Sequence, residues 1–230
     1  MTYPWQSGYD QGVPKEINPN EYSSINDLLE MSFSKFGTKP AFHNMGTTLS
    51  YGDIDRLSKK FASFLQNELN LKKGERVAIM MPNILQYPIA LFGILRAGLI
   101  AVNVNPLYTA RELEHQLKDA EVSTIVLFAN SAHILEKAMK GCRVKHIILT
   151  QVGDMLKFPK NHIVNFVLKK VKKMVPDYNL PVTMDFLDCL GKGDESKFVK
   201  PTVTHSDIAF LQYTGGTTGV AKGAILTHKN

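Results

Sequence analysis

Tyr213-Thr-Gly-Gly-Thr-Thr-Gly-Val-Ala-Lys-Gly223 packs four glycines, three threonines and one lysine into eleven residues. Ile208-Ala-Phe-Leu-Gln-Tyr213 precedes it and Ala224-Ile-Leu-Thr227 follows. Both runs read as short buried strands. Glycine reaches φ > 0 without strain and lets backbone approach a ligand. Successive freed N–H groups in such a loop converge on an anion as a nest. Thr214, Thr217 and Thr218 add hydroxyl donors and Lys222 adds a full positive charge. This set suits a polyphosphate. A plain hairpin turn needs one or two glycines, and this stretch exceeds that need.

The stretch is not a Walker A loop, which places its lysine directly after the second spaced glycine and a hydroxyl residue next. Here two residues separate Gly219 from Lys222, and Gly223 follows the lysine. No helix signal opens at the loop's end, so a helix dipole is not expected to hold the anion. The N–H groups, hydroxyls and lysine of a loop slung between two strands must do so.

Working back along the chain, apolar runs of strand length alternate with helical periodicities. Arg76–Met81, Leu99–Val104, Ser123–Phe128 and Lys145–Leu149 read as strands. Residues 84–97, 109–118 and 131–140 read as helices, with Thr109-Ala-Arg-Glu112 as a capping box. This order implies an α/β fold, a mainly parallel sheet with flanking helices. Two helices are expected earlier, one after Ser24-Ile-Asn-Asp27 and a longer one starting at Ser50 or Asp53. A hairpin turning at Met45-Gly46 lies between them. Residues 1–22, with Pro4, Pro14 and Pro19, read as an extended arm. Asn103 and Asn105 end a strand where α/β folds commonly face ligands. The simpler expectation is that they prepare the turn at Pro106.

The alternation breaks over 151–200. Residues 163–175 read as a basic amphipathic helix. Ile163, Val164, Val167, Leu168, Val171, Met174 and Val175 fall on one side, and Lys169, Lys170, Lys172 and Lys173 on the other. Pro176 ends it, and Pro181–Lys200 reads as a loop-rich return. The lysine face fits either a solvated surface helix or contact with an anionic membrane surface. Nucleic acid is not expected as a partner, because no aromatic stacking platform accompanies the lysines.

The 230 residues carry 27 Lys and Arg against 21 Asp and Glu, a net charge of +6, and are 44% hydrophobic. That is the composition of a soluble globular protein. The apolar region Ile84–Val104 contains Arg96 near its middle and is not expected to span a membrane. Two cysteines in no metal or redox spacing suit a reducing cytosol. The start shows no charged n-region or apolar h-region of a signal peptide. Seven histidines are scattered without metal-ligand spacing, so no protein-built metal site is expected. No G-x-S-x-G elbow and no G-x-G-x-x-G fingerprint occur. The pairs Asp53/Asp55 and Asp185/Asp188 read as solvated helix faces.

Tyr213–Gly223 resembles the phosphate-binding signature of the adenylate-forming superfamily, which includes the acyl-CoA synthetases. Met81–Pro88, Leu91–Gly98, Val102–Tyr108, Arg111–Leu117 and Phe210–Tyr213 resemble the bacterial long-chain fatty acid–CoA ligases. The resemblance implies the first part of a large N-terminal AMP-binding domain over 1–230, with the C-terminal domain absent. It implies ATP and CoA as cosubstrates, Mg²⁺ on the phosphates and a long-chain fatty acid as substrate. Tyr213, Thr214, Gly215, Gly216, Thr217, Thr218, Gly219, Lys222 and Gly223 would hold the ATP phosphates. Catalytic and metal-binding residues are expected beyond Asn230, so residues 1–230 alone are expected not to make acyl-CoA. The alternatives are a non-catalytic phosphate-binding or membrane-associating fragment, and a sister ligase for aryl or short acids. The expected location is cytoplasmic, with peripheral contact at the inner face of the cell membrane; a homodimer is left open.

Overall fold

The computed structural model describes residues 3–214 and 221–230. The arm carries a 3-10 turn, Pro4–Gly8, and is otherwise exposed coil. Helix α1 (Ile25–Phe36) starts where Ser24 accepts a hydrogen bond from the Asp27 N–H. The hairpin β1 (Pro40–Asn44) and β2 (Thr47–Ser50) turns at Met45 and Gly46, with φ of 47° and 80°. Two left-handed residues in succession are the geometry that matches strand twist in a two-residue turn. Helix α2 (Tyr51–Asn67) opens on a reciprocal Ser50–Asp53 capping box. Ile54, Leu57, Phe61, Phe64 and Leu65 are all buried, as their spacing predicts.

The alternating region follows as β3 (Arg76–Met80), α3 (Gln86–Arg96), β4 (Ile100–Asn103), α4 (Ala110–Asp119), β5 (Thr124–Phe128), α5 (Ala132–Ala138) and β6 (His146–Thr150). Then come α6 (Lys160–Phe166), β7 (Thr183–Asp185), α7 (Phe186–Lys192), β8 (Ile208–Thr214) and β9 (Lys222–Thr227). The main sheet has the order β7-β6-β5-β3-β4-β8-β9, parallel throughout except for the antiparallel β8–β9 pair.

Period-2 alternation sends successive side chains to opposite faces. Val77 and Ile79 therefore join one apolar cluster with Phe61, Leu65, Ile89 and Phe186. Ala78 and Met80 join the other with Leu113, Leu117 and Leu135. Helices α2, α3 and α7 cover the first face, and α4 and α5 the second. From β3 the chain crosses by α3 to β4; from β4 it crosses by α4 to β5 on the far side of β3. Loops after β3 and β4 thus depart toward opposite faces. That opens a crevice at the carboxyl ends of these strands, where open α/β sheets bind ligands.

The stretch Ile84–Val104 divides into α3 and β4 around Gly98, whose φ is +74°. Arg96 is 1% exposed and donates to Glu30 and Asp55 carboxylates at 2.6 Å and to Ser58 Oγ at 2.7 Å. It ties α1, α2 and α3 together. This corrects the solvated reading of Asp53 and Asp55: Asp53 caps α2, and Asp55 is a partner of Arg96.

Three other expectations are also corrected. Pro181–Lys200 is not mainly loop, because Asp185 caps α7 and Phe186, Cys189 and Leu190 fill the first core face. The basic helix does not run through 163–175. It covers Lys160–Phe166, widens into a π turn at Val167–Val171 and stops, with Lys173 at φ 51°. The strand after the glycine loop is not buried, since Ala224, Ile225 and Leu226 are exposed on the sheet edge.

Candidate active site

Strands β3, β4 and β8 end on a cavity of ≈ 560 Å³. Ile79, Met81 and Val104 supply apolar walls, and Tyr87, Asn103 and Gln212 supply polar ones. The Tyr87 hydroxyl donates to Asn103 Oδ1 at 3.0 Å, and Asn103 Nδ2 donates to Gln212 Oε1 at 3.0 Å. Gln116 Nε2 of α4 donates to the Asn103 carbonyl at 2.8 Å. Burial pushes the Tyr87 phenol above its usual range, so it stays a neutral donor. The relay fixes the end of β4 against β8, two residues before the glycine loop begins. Its groups are neutral, so this wall offers hydrogen bonds rather than charge. Asn103 therefore does more than end its strand. The usable signal was its place at a parallel strand's carboxyl end.

The glycine loop leaves the sheet from β8 and returns in β9. Gly215, Gly216, Thr217, Thr218 and Gly219 lie outside the described residues. The stems are described. Thr214 faces Lys222 across the ladder, and both are exposed. Tyr213 faces Gly223 and is buried. A Cβ on Gly223 would stand 3.0 Å from the Tyr213 ring, so the missing side chain lets the ring lie on the β9 backbone. The Tyr213 hydroxyl donates to the Asp119 carboxylate at the end of α4. Burial, and then that carboxylate, push the phenol well above its usual range. His115, one turn earlier on α4, places Nε2 3.1 Å from the Ala221 carbonyl.

The basic segment lies elsewhere, beyond β6. Lys169, Lys170, Lys172 and Lys173 are all exposed. Its apolar side is poorly covered: Ile163, Phe166, Val171 and Met174 are 56%, 62%, 65% and 51% exposed. Phe158, just before α6, is more exposed still. Asn165 anchors the segment by accepting from the Gly153 N–H at 2.7 Å and donating to Asp154 at 2.9 Å. Lys169 borders a hollow of ≈ 290 Å³ with Asp185 and Asp188. Burial holds the Asp185 carboxyl above its usual range.

Among the described residues, no three His, Cys, Asp or Glu side chains gather so as to hold a metal ion, and no helix is long and apolar enough to cross a membrane.

Comparison with known proteins agrees with this fold. A long-chain-fatty-acid–CoA ligase of Escherichia coli O6:H1 is 54% identical over 226 residues, covering 98% of this chain and 40% of the relative. That of Bacillus subtilis is 38% identical over 233 residues, covering 99% and 40%. The chain thus spans about 40% of the length of the curated relatives it matches. The crystal structure of a long-chain-fatty-acid-CoA ligase from Archaeoglobus fulgidus superposes with a TM-score of 0.71 at 26% identity, covering 96% of this chain and 39% of that one. The family model described as AMP-binding enzyme matches residues 29–230, from α1 through the whole β8–β9 hairpin, and the chain belongs to that family.

Proposed function

We propose that these residues form the first part of the AMP-binding domain of a long-chain fatty acid–CoA ligase. In this reaction a fatty acid carboxylate oxygen attacks the α-phosphorus of ATP, and the bond to pyrophosphate breaks. The CoA sulfur then attacks the acyl carbon of the acyl-adenylate, and AMP departs. The first step brings two anions together, so the protein must neutralise charge and fix orientation. Lys222, the hydroxyls of Thr214, Thr217 and Thr218, and the glycine N–H groups would grip the β- and γ-phosphates and stabilise departing pyrophosphate.

The observation that carries this reading is the exposed pair Thr214 and Lys222 on facing stems. The stems stand beside a neutral, amide-lined cavity at the carboxyl ends of parallel strands. The Escherichia coli and Bacillus subtilis relatives both bear the long-chain name, which favours long acyl chains over aryl or short acids. Mg²⁺ would screen the phosphates, but no described cluster of this chain fits it, so no step here is routed through it.

The loop is tested in a ligase of the relatives' full length that carries these residues. Lys222→Ala should lose about 1.5–3 kcal/mol of transition-state stabilisation, roughly 10- to 150-fold in pyrophosphate exchange. Stability should hardly change, because Lys222 is exposed. Exchange at full rate in that variant would sink the assignment.

The same proposal gives the protein a cytoplasmic location with peripheral contact at the inner face of the cell membrane. Four lysines near an anionic leaflet contribute about 1 kcal/mol each before screening by salt. Burying an exposed apolar side chain contributes more, about 1.5–3 kcal/mol. Ile163, Phe166, Val171 and Met174 are exposed and available for that burial. Binding to phosphatidylserine vesicles should fall with salt and fall again in Phe166→Ser. Equal sedimentation with neutral and anionic vesicles would rule out the lysine contribution.

A further inference from the structure

Helix α4 touches the glycine loop's surroundings at three points. Tyr213, last but one on the outgoing stem, donates its hydroxyl to Asp119. Ala221, at the start of the returning stem, offers its carbonyl to His115 Nε2 at 3.1 Å. Gln116 holds the Asn103 carbonyl at the cavity rim at 2.8 Å. His115 and Asp119 are four residues apart, the spacing that puts two side chains on one helix face. Asp119 is also the last residue of α4. A carboxylate there opposes the helix dipole, which favours cations at that end. Its position is explained by Tyr213 and not by the helix.

From this geometry we infer that His115 and Asp119 are positioning residues. They hold the two stems of the glycine loop at a fixed height over the sheet, so that α4 registers the phosphate grip against the cavity held by Gln116 and Asn103. The inference rests on the phosphate-binding reading above. Tyr213 is suited to its part, because burial and the facing carboxylate keep its proton in place across the working pH range. Gly223 supplies the complementary surface by leaving room for the ring. Neither His115 nor Asp119 needs to reach ATP. A shift of about 1 Å in the stems would displace the groups that do, and misplacement of that size can cost about 10²-fold in rate.

The test uses a ligase of the relatives' full length that carries these residues and measures the two half-reactions separately. Pyrophosphate exchange needs the grip on the β- and γ-phosphates; transfer of acyl from supplied acyl-adenylate to CoA does not. Tyr213→Phe, Asp119→Ala and His115→Ala should each slow exchange about tenfold. Acyl transfer should stay within about twofold. Asp119→Asn keeps an acceptor for the hydroxyl and should recover most of the exchange rate. The double variant Tyr213→Phe/Asp119→Ala should be no slower than the worse single one, since both remove one bond. Undiminished exchange in Tyr213→Phe and Asp119→Ala, alongside slow exchange in Lys222→Ala, would overturn the bracing while leaving the phosphate loop intact. Equal losses in both half-reactions would overturn it too, because general damage would then explain them. Full exchange in Lys222→Ala would remove the phosphate-binding reading itself, and the bracing with it.

Discussion

Strand β5 is buried at all five positions, whereas β9, in the same sheet, exposes Lys222, Ala224, Ile225 and Leu226. β5 lies between β3 and β6 and carries apolar residues to both faces. Among the described residues β9 lies at the edge of the sheet beside β8. Helices cover the sheet where βαβ crossovers lay them down. β8 and β9 pair antiparallel and so do not form a βαβ unit. Within residues 1–230 the interior strands carry the core, and β9 shows its side chains.

This division can be broken by mutation. Phe61 is fully buried and lies tilted against Phe186 with ring centroids 5.2 Å apart. Phe61→Ala should cost about 3–5 kcal/mol in denaturant unfolding. A cost below 1 kcal/mol would mean that the α2–α3 layer is not the stabilising one.

The interior is also tight. A Cβ at Gly93 of α3 would stand 2.8 Å from the Phe61 ring and 3.1 Å from the Ser58 carbonyl. Gly93→Ala should destabilise by about 1–3 kcal/mol through overpacking. Combining it with Phe61→Leu should recover part of that loss, because the clash is with the ring. Strict additivity would place the strain elsewhere.

A smaller effect is expected at the amino ends of the strands. Asp207 accepts from the Thr204 N–H and pairs with Lys73, and these partners lower its carboxyl to about 2. A depressed folded pKa contributes stability that is complete above the unfolded value of 3.8 and is lost as pH falls toward about 2. The site is open enough for solvent screening to reduce that contribution to about 1 kcal/mol. Asp207→Asn should be less stable than the parent by this amount at pH 6, and the gap should shrink as pH falls below 4 and close near pH 2. A gap that persists unchanged at pH 3 would assign the effect to packing.

The smallest change belongs to the edge. Ile225 is 60% exposed, and Ile225→Ser should move stability by no more than about 0.5 kcal/mol. A loss near that of Phe61→Ala would erase the distinction between β5 and β9.

The inner fold was legible because its signals are local. Thr109-Ala-Arg-Glu112 is a capping box whose partners sit three residues apart, and it forms; the helix expected from Ser50 or Asp53 starts after Ser50. Val77 to Met80 alternate between faces with a period set by the backbone itself. The misreadings arose where the outcome depends on distant partners. Asp55 looked solvated because Arg96 lies 41 residues away. Asn103 looked like a strand end because Gln212 lies 109 residues away. Phe186, Cys189 and Leu190 carried a helical spacing, but the helix is only seven residues long and follows the three-residue strand β7 directly.

By itself the sequence determined the alternation of strands and helices from β3 to β6, the parallel α/β class, and the residue inventory of the glycine stretch with Thr214 and Lys222. These follow from backbone periodicity, capping and side-chain inventory, each contained within a few residues. Tertiary structure decided the order of strands across the sheet, and that the crevice opens where β3 and β4 send their loops to opposite faces. It also decided that α4 reaches both stems of the glycine loop. The physical reason is separation along the chain. Burial and pairing are properties of what the fold brings alongside a residue, and no local pattern encodes a neighbour a hundred residues away.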